Sequence, residues 1–286
     1  MSQSAKIRST ISSTQKTRKV TSALELVAAS KLNKTQEVMS ASRPYADKML
    51  QVIGHVANCN SEYQHPFMQT REVKRVGYIV ISSDRGLCGS LNLALFKETL
   101  QHMQQWQKKG VGVDTCLFGN KAISFFNRHK IEVLAHANQI GDKPSLESII
   151  GIVQALTDAY YAEKIDQVYL ASNMHINTMI QQPRILQLMP LLPAKLESKS
   201  SHWDYIYEPD AKEVIDTLFN RYIECEVYQG VVENIACEQA ARMLAMKNAT
   251  ENAGDIISDL KLAYNKVRQA SITQELSEIV AGSAAV

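Results

Sequence analysis

Apolar positions recur every three to four residues along two long stretches at the ends of this chain, and in short unbroken runs between them. From 210 to 286 one stripe steps through Ile215, Leu218, Tyr222, Cys225, Gln229, Val232, Ala236, Gln239, Met243 and Met246, then Thr250, Ala253, Ile257, Leu260, Tyr264 and Val267. That spacing predicts a single coiled-coil-like helix with scattered polar positions. No proline interrupts it, and only Gly230, Gly254 and Gly282 weaken it. At 1.5 Å per residue it would be roughly 115 Å long, against three or four turns for an ordinary globular helix. Past Val267 the register lapses into Ser271, Gln274 and Glu278.

The first stretch, from Ser4 to about Cys59, is also helix-forming. Its seam runs through Ile7, Ile11, Thr14, Arg18 and Thr21, beside a second stripe of Val20, Leu24 and Val27. Ala23, Ala28, Ala29 and Ser30 keep it thin, which suits close approach by one other helix. Pro44 is expected to kink this helix or to cost it about 3 kcal/mol.

The middle has a different texture. Apolar runs at 76–81, 114–118, 131–135 and 167–172 predict short buried strands. Helical patterns at 91–107, 121–128 and 146–162 separate them. Alternation of this kind predicts a mostly parallel sheet with helices on its faces. Residues 174–193 read as extended segments broken by Pro183, Pro190 and Pro193. The fold class is therefore α/β. A long antiparallel coiled coil of N- and C-terminal helices, 1–60 and 208–286, carries an inserted Rossmann-like α/β domain at 74–195.

Charge sharpens this picture. Residues 1–60 carry nine Lys/Arg against three Asp/Glu, and residues 210–286 carry seven against twelve. A basic helix and an acidic helix attract each other, which favours their pairing. Five cysteines without a C-x-x-C spacing, and no apolar leader, lead us to expect reduced thiols in a cytoplasmic setting. No apolar run approaches the roughly 18 residues needed to span a bilayer, so any membrane role is expected to be peripheral.

The one stretch that hints at ligand chemistry is V-I-S-S-D-R-G-L-C-G-S-L-N, residues 80–92. A strand, a glycine-bearing turn and a helix start are how α/β proteins cradle phosphate. Yet neither G-x-x-x-x-G-K-[ST] nor G-x-G-x-x-G is present, and Gly86-x-x-Gly89 alone fits a structural turn, with Asp84 and Arg85 paired across it. The seven histidines form no metal-binding spacing and there is no G-x-S-x-G. We therefore expect no catalytic, cofactor-binding or metal residues, and no enzyme chemistry from this chain alone. The basic stripe Lys6, Arg8, Lys16, Arg18, Lys19, Lys31 and Lys34 lacks interleaved aromatics and a binding module, so no nucleic acid is expected. From the residues alone, a coiled-coil tether with a degenerate nucleotide-fold domain stands as the alternative function.

Several blocks then carry a resemblance. K-I-R-S-T-I-S-S-T-Q-K-T-R-K-V-T-S-A-L-E-L-V-A-A-S-K-L, A-S-R-P-Y-A and S-S-D-R-G-L-C-G-S-L-N resemble the γ subunit of bacterial F-type ATP synthases. So do Y-Q-G-V-V-E-N-I-A-C-E-Q-A-A-R-M-L-A-M-K-N-A-T and Y-N-K-V-R-Q-A-S-I-T-Q-E-L-S-E-I-V-A-G-S-A-A-V. The blocks run end to end and in order. Ile272, Thr273, Glu275, Glu278 and Gly282 match the family's C-terminal signature, while Ser283 replaces its usual alanine.

The resemblance implies a central rotor shaft, one copy per complex, transmitting torque between a membrane c-ring and the αβ catalytic hexamer. It implies that ATP chemistry lies on the β subunits, and that the 80–92 turn holds no nucleotide. It implies coupling contacts to β through Arg18, Lys19 and Leu24, near acidic lever loops, and through Arg268, Gln269 and Thr273, near a catch loop. Tyr205, Tyr207 and Glu208 would face the c-ring and the ε subunit. The implied location is peripheral, at the cytoplasmic face of a bacterial inner membrane.

Overall fold

The computed structural model describes residues 3–59, 65–138, 141, 144, 146–191 and 211–284. Along the chain, helix α1 (Gln3–Cys59) is followed by a short 3-10 turn (Pro66–Met68), β1 (Arg75–Ile81), α2 (Leu91–Gln107) and β2 (Gly112–Phe118). Then come α3 (Asn120–Arg128), β3 (Glu132–Ala137), α4 (Leu146–Tyr161), β4 (Gln167–His175), β5 (Gln181–Met189) and α5 (Ala211–Ala284). Helix α1 runs unbroken through Pro44. Two compact units result, residues 30–241 and residues 1–29 with 242–286.

In the first unit the five strands form one sheet in the order β3-β2-β1-β4-β5. β1, β2, β3 and β4 are parallel, and β5 is antiparallel to β4. Every apolar run expected as a strand is one. The difference lies at Pro183, where an expected break is instead the interior of one continuous strand, β5, after a tight turn, while Pro193 lies outside the described residues. Pro183 sits opposite Asn173. β5 is an edge strand, and an edge is where a residue lacking an N–H is tolerated.

Alternation along β1 divides the core in two. Val76, Tyr78 and Val80 face α2 and α3, packing on Leu95, Phe96, Met103, Ala122 and Phe126. Ile79 and Ile81 face the other way, with Leu170 of β4, onto α4, α5 and the Met49–Ile53 turn of α1. A sheet with both faces covered needs near-continuous apolar strands, which is why β1 lacks the polar alternation of a half-exposed strand.

The second unit is a helix pair. Thr21 Oγ and Thr250 Oγ lie 2.7 Å apart, and the guanidinium of Arg18 lies beside Gly254. Moving toward the start of α1 thus moves toward the end of α5, so the pair is antiparallel. The seam follows the first predicted stripe: Thr21 and Ala28 are buried, and Ile7, Ile11 and Thr14 half-buried. The second stripe is open at its ends, with Val20 58% and Val27 51% exposed, and Leu24 between them is half-buried. One partner helix covers one stripe and leaves the two valines of the other open. On α5, Ala253 and Ile257 are buried and Tyr264 and Val267 half-buried. From Arg268 onward every described side chain is exposed, as expected where α5 outruns its partner.

Candidate functional site

In an open α/β sheet, ligands bind outside the carboxyl ends of the strands where the winding reverses. Here β1, β2 and β3 proceed in one direction and β4 returns to the opposite side of β1, so the reversal lies between β1 and β4. The 80–92 stretch leaves β1 at that point, and its polar groups are used internally.

Residues 82–84 cap helix α3 rather than leaving its N-terminus open. Asn120 N–H donates to Asp84 Oδ1 (3.1 Å), Lys121 N–H to the Ser83 carbonyl (3.1 Å) and Ala122 N–H to Ser82 Oγ (2.8 Å). These amides, with the positive end of the helix dipole, are what a phosphate would use. Ser83 Oγ donates to the Arg85 carbonyl (2.7 Å) and accepts from Asn92 Nδ2 (2.7 Å), tying the turn to α2. Asp84 therefore serves α3, and the expected Asp84–Arg85 pairing across the turn is corrected by this cap. Positive φ falls on Leu87 (67°) and Gly89 (60°) rather than on Gly86. Gly119, at φ 89°, lets β2 turn into α3, because a Cβ there would stand 2.4 Å from the Ser82 carbonyl oxygen.

The crevice itself is occupied by α5. Gly230 brings its backbone so close that a Cβ would lie 3.1 Å from Leu170 Cδ2 and 3.2 Å from Ile81 Cδ1. Residues 230–237 are buried on all sides, where the sequence predicted only a stripe. Beyond Gly230 the contacts turn polar. Asn173 Nδ2 donates to Asn234 Oδ1 (2.8 Å), His175 N–H to Glu233 Oε1 (3.1 Å) and Cys237 Sγ to the Asn173 carbonyl (3.4 Å). Cys88 and Leu91, from the 80–92 stretch, pack with Cys237. Burial pushes the Cys237 thiol well above its usual range, and that of Cys116 up to about 12. Sequence reasoning missed this cluster. Its signal was a glycine followed by Glu233-Asn234 within an otherwise apolar run.

Two histidines and a tyrosine with altered behaviour are held in aromatic packing. His65 stacks on Phe219 at 4.3 Å and meets the edge of Phe67 at 4.7 Å. Burial lowers its pKa to about 4, against the opposing pull of Asp216, 3.1 Å from Nε2. Tyr78 OH and His102 Nδ1 are 2.6 Å apart beneath Tyr169, and burial raises the phenol and lowers the imidazole. Among the described residues no group of three His, Cys, Asp or Glu side chains is placed to hold a metal.

The residues expected to make coupling contacts divide as follows. Arg18 and Lys19 are exposed and Leu24 is half-buried on α1. Arg268, Gln269 and Thr273 are exposed on the unpaired end of α5, with Thr273 Oγ1 donating to the Gln269 carbonyl (3.0 Å). Tyr205, Tyr207 and Glu208 lie outside the described residues, as does Trp203. No described helix is long and apolar enough to cross a membrane.

A family model described as ATP synthase matches residues 3–286. Among solved structures, a chain of the Tetrahymena thermophila mitochondrial ATP synthase central stalk and c-ring is 23% identical. It has a TM-score of 0.59, with 80% of this chain and 99% of that one covered. A chain of the Euglena gracilis mitochondrial ATP synthase rotor is 16% identical, with a TM-score of 0.66 and 94% and 98% covered. A chain of the Euglena gracilis OSCP/F1/c-ring structure is also 16% identical, with a TM-score of 0.68 and 99% and 94% covered. These likenesses are ones of fold.

Proposed function

The chain belongs to the γ family of the F-type ATP synthases, the rotor subunits of the central stalk, and on that premise we propose that it carries torque between a membrane c-ring and an αβ hexamer without catalysing ATP chemistry itself. The observation that carries this reading is the occupied crevice. Where a nucleotide-binding relative of this sheet would hold its ligand, this chain holds residues 230–237 of its own longest helix. A domain that grips a helix at its binding point is a clamp on a shaft.

The helix pair supports the same reading. A shaft turning inside a housing needs a surface that holds no single angle too strongly, and the exposed, mixed-charge faces of α1 and α5 suit that. An asymmetric rod biases otherwise equivalent catalytic sites through different contacts at each angle, which is a population shift by differential contact. On this account Arg18, Lys19 and Leu24 meet acidic loops of β, and Arg268, Gln269 and Thr273 meet a second loop of the hexamer. Tyr205, Tyr207 and Glu208 meet the c-ring and the ε subunit. One copy serves each complex, at the cytoplasmic face of a bacterial inner membrane.

The test is reconstitution of the αβ hexamer and membrane sector with and without this chain, reading ATP-driven proton pumping. Pumping is expected only with the chain present. The isolated chain is expected to hydrolyse no ATP. Micromolar ATP binding to the isolated chain, lost on changing Gly86 or Gly89, would overturn the non-catalytic reading.

A further inference from the structure

We infer that the polar cluster joining Glu233, Asn234 and Cys237 of α5 to the carboxyl end of β4 fixes the register of α5 on the sheet, so that torque passes between them without slip. The inference rests on the rotor reading and adds to it the residues that make the grip positive.

The rest of this interface is apolar and repeats along the helix. Val227, Val231 and Ile235 follow one another at four-residue spacing and belong to the same core as Ile81 and Leu170. Apolar contact is non-directional and follows the area buried. A slide of one helical turn would lay Val227 where Val231 was and Val231 where Ile235 was, with little change in apolar burial. Such an interface resists separation better than it resists a change of register.

The hydrogen bonds lack that degeneracy. Asn173 is 0% exposed and Asn234 1%, so neither amide has water to fall back on. In a slipped register Asn173 would meet Gly230 or Glu238, and the His175 N–H would lose Glu233. Each buried group left unpaired opposes the shift. Gly230 adds a steric key, since a Cβ there would press on Leu170 and Ile81, and its neighbours one turn away are the larger Glu226 and Asn234. The cluster also leaves Asn173 Oδ1 without a partner. A buried polar pair with an unmet acceptor is a poor way to maximise stability, and register is the best-attested use of such pairs.

The test uses the assembled complex in membranes, reading complex yield, ATP hydrolysis and proton pumping on the same preparation. Replacing both asparagines together, Asn173→Leu with Asn234→Leu, removes donor and acceptor without leaving an orphan. A second comparison sets Glu233→Leu, which removes the acceptor for the His175 N–H, against Glu233→Gln, which keeps one. We expect the leucine variants to assemble and hydrolyse ATP as wild type does while pumping per ATP is lost, and Glu233→Gln to restore it. If the double variant does not assemble, the Glu233 comparison decides alone. Wild-type pumping per ATP in every assembled leucine variant overturns the register role, as does equal loss in Glu233→Leu and Glu233→Gln. A wild-type complex that itself fails to pump would instead count against the rotor reading.

Discussion

Two glycines in helices give a matched test of where α5 lies. Gly151, in the interior of α4, has open space where a Cβ would go. Gly230, inside α5, would place a Cβ 3.1 Å from Leu170 Cδ2 and 3.2 Å from Ile81 Cδ1. Replacing either by alanine removes the same intrinsic penalty, about 0.5–1 kcal/mol for glycine within a helix. At Gly151 nothing opposes that gain. At Gly230 the new methyl presses on two buried side-chain ends that must yield by a few tenths of an ångström, and overpacking of this kind costs about 1–3 kcal/mol. The net expectation is a gain of about 0.5–1 kcal/mol for Gly151→Ala and a loss of about 1 kcal/mol for Gly230→Ala. For a unit of this size each kcal/mol moves the melting temperature by about 2–4 °C. Thermal unfolding of the two variants beside wild type, followed by circular dichroism, should therefore move in opposite directions. Equal stabilisation of both would mean that α5 does not rest on β1 and β4 at Gly230, and the occupied crevice would fall with it.

Gly119→Ala should be far more damaging, costing about 3 kcal/mol or more, since its Cβ would collide with the Ser82 carbonyl at a φ of 89°; a melting temperature within two or three degrees of wild type would refute the α3 cap geometry. His65 is held neutral by burial, its pKa lowered from 6.5 to about 4, so the unfolded chain binds the extra proton first. Its contribution to stability is full above pH 6.5 and is lost as pH falls toward 4, and His65→Phe should flatten that limb of a urea-unfolding series. Leu24→Lys sets a cation at a half-buried position of α1, the helix that also presents the exposed Arg18 and Lys19. If these residues meet acidic loops, an added ion pair of up to about 1 kcal/mol over-stabilises one rotor angle. ATP hydrolysis should then persist while pumping per ATP falls, and an unchanged ratio would refute the contact.

The pattern of residues disclosed most of the fold because most of its signals are local. Helix α2 occupies the predicted 91–107 because its stripe, Leu91, Leu95 and Met103, lies entirely within it. The four parallel strands announce themselves as apolar runs for the same reason, and the lapse after Val267 foretold where α5 loses its partner. What stayed hidden depends on distant pairs. Asp84 caps a helix 36 residues away, and no rule of local spacing links Asp84 to Asn120. Asn173 and Asn234 meet across 61 residues. The three prolines around β5 argued for breaks, and only the position of that strand at the sheet edge removes the penalty at Pro183. Val20 and Val27 show the reverse case, apolar positions legible in the sequence that a single partner helix leaves open.

The most direct test of the rotor reading is to watch the chain turn. With the αβ hexamer fixed to a surface and a bead attached through a cysteine placed at exposed Lys109, on the loop after α2, ATP should drive continuous rotation in one direction that stops when ATP is withdrawn. A bead that stays still, or wanders without direction, while the same complexes hydrolyse ATP would contradict the claim that this chain carries the torque.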